Sequence, residues 1–217
     1  MRVISKLFVI PVRKSRYWTH RKSHAIINLS CGAQATRQSM ERGVAMALYS
    51  FDGKYPSVGE GSYIHPTATL IGDVVIGKGC FIGPGARLRG DWGFIRIGDN
   101  CNIQDNCVIH AQPGKGTQVG DRCHIAHSSI LHGPVLENQV FIGMGCVVMD
   151  DAVLKEKCCL AAGTLVLTGQ TISEDTLAMG HPAKEIKKIP ASMRENLEWA
   201  RGEYIALPPR YLKERLE

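Results

Sequence analysis

The chain has 217 residues, 44% hydrophobic and only 6% aromatic, which suits one repetitive domain of thin, uniform layers better than a large globular core. Its formal charge of +6 is unevenly placed: residues 1–45 hold nine Lys or Arg against Glu41 alone, a balance of +8, while residues 46–217 hold 17 bases and 19 acids, a balance of −2. The body therefore makes no electrostatic case for nucleic-acid binding, and no stretch approaches the roughly 18–20 apolar residues that span a membrane.

The chain opens on a basic leader, residues 1–45. Its Arg-rich, nearly acid-free composition is that of a mitochondrial transit peptide. The plainer reading is a disordered or non-native extension, with Met46 as a second start. Val3 to Val12 makes a poor secretory signal, because Lys6 and Pro11 interrupt it and basic residues follow.

From Ile64 an aliphatic residue recurs every sixth position: Ile64, Leu70, Ile76, Ile82, Leu88. After three extra residues the pattern resumes at Ile97, Ile103 and Ile109, and after four more at Val119, Ile125 and Leu131. One residue is then dropped, and it continues through Leu136, Ile142, Val148, Leu154, Leu160, Val166 and Ile172. Neither the helical period of 3.6 nor the strand period of 2 generates this spacing. It predicts an all-β solenoid, a left-handed parallel β-helix over residues 46–180. Each hexapeptide supplies one short strand and a turn, and three close a triangular coil.

Cys80, Cys101, Cys107, Cys123, Cys146 and Cys158 all fall four residues after an aliphatic position, in phase with Ala152 and Thr164. Cysteines at one packing position are small buried hydrophobes rather than a disulfide framework. They point to a reducing, cytoplasmic compartment. Over residues 181–217 a helix packing on the solenoid is expected. Ser192 with Glu195 reads as its capping box, and Pro208 and Pro209 as its end.

Three histidines stand out. His110 and His132 each follow an inward aliphatic, 22 residues apart, which is one 18-residue coil plus the four-residue insertion in Gln112–Gln118. They should stack at one corner of neighbouring coils, where two imidazoles can share a metal. His127 lies on a different side of the triangle and cannot reach that metal in its own chain; a neighbour around a threefold axis could supply it. Three His nitrogens plus water is the open coordination of catalytic zinc. The spacing thus suggests a homotrimer with a metal at each subunit interface. A histidine at a β-helix corner is ordinarily a surface residue, and His65, His124 and His181 read that way.

Arg89-Gly90-Asp91, Asn102-Ile103-Gln104-Asp105-Asn106, Val108-Ile109-His110 and His127 with His132-Gly133 resemble the γ-class carbonic anhydrase family. With Met144-Gly145, Val147-Val148-Met149-Asp150 and Gly180-His181-Pro182-Ala183-Lys184, the chain more particularly resembles the phenylacetate-degradation and carnitine-operon branch of that family. The resemblance implies a homotrimer with Zn2+, or Fe2+, held by His110 and His132 of one subunit and His127 of the next. It implies that Arg89 and Asp91 form an ion pair near the interface, that Gln104 bonds the water on the metal, that Asp105 assists nearby, and that Tyr204 lines the pocket. Corner-turn chemistry is the plain alternative for Gln104 and Asp105.

The activity implied is metal-hydroxide attack on CO2 to give bicarbonate. Two departures make it slow: Trp92 stands where the best-studied kind of γ carbonic anhydrase has a glutamate, and the loop Ala111–Gln118 carries no acid where that kind has an acidic loop. Metal-dependent acyl-CoA hydrolysis is the first alternative. Hexapeptide acyl transfer with a histidine base, or a non-catalytic trimeric accessory role, are the others.

Overall fold

The computed structural model describes residues 47–214. The leader, residues 1–45, lies outside them. The chain winds as a left-handed parallel β-helix, because every hexapeptide aliphatic turns inward and stacks on its counterpart one coil away. All eighteen are buried, none more than 4% exposed, and the in-phase cysteines, Ala152 and Thr164 are buried beside them. Burying each large aliphatic contributes about 1.5–3 kcal/mol, so the period itself drives the fold.

Three faces result. The first stacks Tyr63–Ile64, Phe81–Ile82, Asn102–Ile103, His124–Ile125, Phe141–Ile142, Cys159–Leu160 and Thr176–Gly180. The second stacks the beginnings of the long strands Thr69–Ile76 and Arg87–Ile97 on Val108–His110, Ile130–His132, Val147–Val148 and Leu165–Val166. The third carries the ends of those long strands with Gly116–Val119, Val135–Leu136, Val153–Leu154 and Thr171–Ile172. The long strands bend through the corner between the second and third faces. There Gly72, at φ +72°, lies so close to the next coil that a Cβ would meet the Gly90 carbonyl oxygen at 2.6 Å.

The C-terminal segment departs from the expectation in three ways. Ala183–Lys188 is not helical; it forms an antiparallel hairpin with Thr176–Gly180 and ends the first face. Helix α1, Ala191–Ile205, is capped at Pro190 with no side-chain hydrogen bond, so Ser192 and Glu195 do not form the expected box. Pro208 and Pro209 follow the end of α1 at Ile205, where their missing N–H groups break the helical ladder as expected, but they also stand in the first turn of a second helix, α2, Leu207–Lys213. Proline is at home there because the first-turn N–H groups lack helical acceptors anyway. The two helices cover the first face: Tyr211 packs on Tyr63 and Phe81, and Tyr204 on Phe81 and His124. Among the described residues no helix is long and apolar enough to cross a membrane.

Candidate metal centre

Strand pairing places His132 directly on His110, and the rings meet at the corner where the second face ends. His110 Nδ1 and His132 Nε2 are 3.1 Å apart. Two ligands each about 2.0–2.1 Å from one tetrahedral ion stand about 3.3 Å apart, so the pair has the spacing of two donors to a single dication. Burial favours neutral His110, the ligating form, and lowers its pKa. Among the described residues, no group of three or more His, Cys, Asp or Glu completes a metal site within one chain.

The remaining ring nitrogens face carboxylates. His110 Nε2 is 3.1 Å from Asp91 Oδ1, and His132 Nδ1 is 2.8 Å from Asp150 Oδ1. Arg89 donates to Asp91 Oδ2 at 2.7 Å. Burial would raise the Asp91 carboxyl, but the bonds from Arg89 and His110 outweigh it and leave the pKa below its ordinary value. Trp92, 58% exposed, sets its ring 5.4 Å from that of His110 and under the Arg89 guanidinium. The insertion that follows folds back, with Lys115 paired to Asp151 at 2.6 Å.

His127 occupies the opposite edge of the second face, in the turn between His124–Ile125 and Ile130–His132. Its Nδ1 bonds Asp105 Oδ2 at 2.9 Å, one coil away, and its ring is 43% exposed. Gln104 shares this edge and is buried. Its amide nitrogen reaches Asn102 Oδ1 at 2.9 Å and His124 Nε2 at 2.8 Å, and its oxygen accepts from the His127 backbone N–H at 3.3 Å. Tyr204 covers the same cluster, with burial and the nearby Asp105 charge raising its phenol.

Two sets therefore exist in one chain. Arg89, Asp91, His110 and His132 gather at one corner; Gln104, Asp105, His127 and Tyr204 gather at the other. The second face between them exposes an aliphatic ladder of Val108 and Ile130, 40% and 41% exposed, continued by Val147 and Leu165.

Two residues escaped sequence reasoning. His124 is not a surface residue: it is 4% exposed, stacks on Phe141 at 4.0 Å, and is pushed down to about 3 by burial, then by the Arg201 and His127 charges. What buries it is the first face's helical cover, which the hexapeptide phase does not encode. Asp150 lies one 18-residue coil after His132, a spacing that could have found it.

Family models for bacterial transferase hexapeptide (six repeats) and for the hexapeptide repeat of succinyl-transferase match residues 55–90 and 94–127. The carnitine operon protein CaiE of Escherichia coli is 39% identical over 156 residues, 72% of this chain and 78% of its own. The Proteus sp. protein of the same name gives the same identity and coverage. Among solved structures, a hexapeptide transferase family protein from Anaplasma phagocytophilum is 40% identical with a TM-score of 0.73, covering 76% of this chain and 98% of its own. A Bacillus cereus protein provisionally named an acetyltransferase is 33% identical with a TM-score of 0.75, covering 78% and 98%.

Proposed function

Because the chain belongs to the CaiE family of hexapeptide-repeat proteins, we propose that it is a trimeric, γ-carbonic-anhydrase-like metalloenzyme that hydrates CO2 slowly. The observation that carries this reading is the convergence of His110 Nδ1 and His132 Nε2 at 3.1 Å. Zn2+ is the ion that best suits neutral imidazole donors, with Fe2+ as the other candidate.

The third ligand comes from a neighbour. The uncovered aliphatic face has the His110–His132 corner on one edge and the His127 corner on the other. Three copies packed through this face around a threefold axis bring one chain's His127 to the next chain's pair. Gln104, Asp105 and Tyr204 arrive with it. Arg89 and Asp91 then lie at the seam between subunits.

A dication held there would supply Lewis acidity and lower the pKa of water to near neutrality, making a nucleophile available at neutral pH. The chain's own residues orient and drain that site. Gln104 has one carbonyl lone pair left after its internal bonds, which can accept from a hydroxyl. Asp91 is already committed to Arg89 and His110, the Ala111–Gln118 loop offers no carboxylate, and Asp151 is paired with Lys115, so among the described residues this flank presents no unpaired carboxylate to export protons. Turnover is therefore limited by proton release. General acid–base groups contribute about 10²–10⁴-fold where they act.

A second reading rests on Trp92. Its exposed ring beside His110 offers a broad apolar surface, more than CO2 can cover and enough for an acyl chain to lie against. Acyl-CoA hydrolysis at the same centre is less dependent on fast proton export. The test is metal analysis of the purified protein with assays against CO2 and a panel of acyl-CoAs. The account expects one zinc per chain and weak CO2 hydration that rises with imidazole buffer, both lost in His110→Ala. Metal-loaded protein that hydrolyses an acyl-CoA but never hydrates CO2, at any buffer concentration, replaces the first reading with the second.

A further inference from the structure

Each of the three candidate ligand histidines carries an aspartate on one ring nitrogen: Asp91 on His110, Asp105 on His127 and Asp150 on His132. We infer that Asp150 is a positioning residue, which holds His132 in the Nδ1–H tautomer and aims its Nε2 lone pair at His110. The inference rests on the metal-centre reading for its purpose, but not for its geometry.

An ionised carboxylate only accepts hydrogen bonds, so the 2.8 Å contact requires the proton on His132 Nδ1. This assigns the tautomer from its partner. The same logic at Asp91 puts the His110 proton on Nε2. The lone pairs of two neutral rings then face each other across 3.1 Å, an arrangement that repels unless a cation or a proton lies between them. The two aspartates thus prepare a pair of donors before any ion arrives.

Asp150 is poorly explained as a surface acid. It is 6% exposed, and His132 is its only ion-pair partner among the described residues. A buried carboxylate opposite a neutral imidazole is costly. A dication one ring away offsets that cost, as in other carboxylate–histidine–metal arrangements.

The backbone also makes room for this carboxylate. Gly133, at φ +73°, follows His132 directly, and a Cβ there would meet Asp150 Oδ1 at 2.5 Å. Any side chain at residue 133 would both strain the turn and push the carboxylate from His132. Gly133 and Asp150 therefore act as one device.

The experiment follows the imidazole nitrogens of the full-length protein by long-range 1H–15N spectra before and after chelation, and then measures zinc affinity by chelator competition. In the chelated wild type His132 is expected as the Nδ1–H tautomer; Asp150→Ala should release it to Nε2–H. Zinc affinity should fall about 10–100-fold in Asp150→Ala and Gly133→Ala. It should fall less in Asp150→Asn, whose amide oxygen still accepts the Nδ1 proton. An unchanged tautomer and unchanged zinc affinity in Asp150→Ala overturn the inference while leaving the metal centre standing. A wild type that holds no zinc, yet shows the tautomer switch, supports the positioning role and removes the metal reading instead.

Discussion

His110 and His132 are 22 residues apart in the chain, yet their rings meet because Leu131 pairs with Ile109 and His132 with His110 across adjacent coils. The four-residue insertion between them is absorbed by the loop before Gly116–Val119, so the coil register survives it. That corner faces one edge of the uncovered aliphatic ladder, and the His127 corner faces the other.

The ladder makes association testable without touching the candidate centre. Ile130 is 41% exposed in the single chain, so Ile130→Lys costs the isolated fold little, but in a trimer it buries an unpaired ammonium. Analytical ultracentrifugation should show about 71 kDa for the wild type, three chains of 23.8 kDa. The Ile130→Lys protein should shift to monomer with unchanged far-UV circular dichroism.

The hexapeptide core makes a separate claim about stability. Leu131 is fully buried and stacks between Ile109 and Val148. Leu131→Ala should destabilise the fold by about 2–5 kcal/mol, since the neighbouring coils hold the cavity open. Urea unfolding is the measurement; a loss under about 1 kcal/mol would mean that the coils relax around the gap.

His124 sets a pH dependence. Burial, joined by the Arg201 and His127 charges, holds its folded pKa at about 3, against 6.5 ordinarily. Between these values the unfolded chain binds the extra proton and the folded one does not. Its stabilisation is fully present above about pH 6.5 and is lost progressively as pH falls toward 3, by at most about 1.4 kcal/mol per pH unit. The difference in unfolding free energy between wild type and His124→Gln should therefore shrink across pH 6.5 to 4. A constant difference would show that His124 is solvated.

How much of this was legible depended on what each residue answers to. The eighteen aliphatic positions obey a local period, so the solenoid and the stacking of His110 on His132 could be read directly. The in-phase cysteines, such as Cys107 and Cys123, followed from the same count. His124 could not be read, because its burial comes from Tyr204 and Phe141, joined only when α1 folds across the first face. The start of α1 could not be read for a related reason. Ser192 and Glu195 form a cap only if the helix starts at Ser192, but the hairpin Ala183–Lys188 delivers the chain at Pro190. Gln104 and Tyr204 were expected beside the metal, and in one chain they lie at the opposite corner; only association of subunits could unite the two sets.

The most direct test of that shared centre is subunit mixing. His110→Ala and His127→Ala proteins should each bind little zinc alone. Unfolded together in equal amounts and refolded, random trimers should restore about one quarter of the sites, those pairing an intact His110–His132 corner with an intact neighbouring His127. Zinc binding and metal-dependent activity should return to about that fraction. If mixing restores neither, while wild type refolded in the same way recovers both, the ligands do not come from two chains and the account of the centre is wrong.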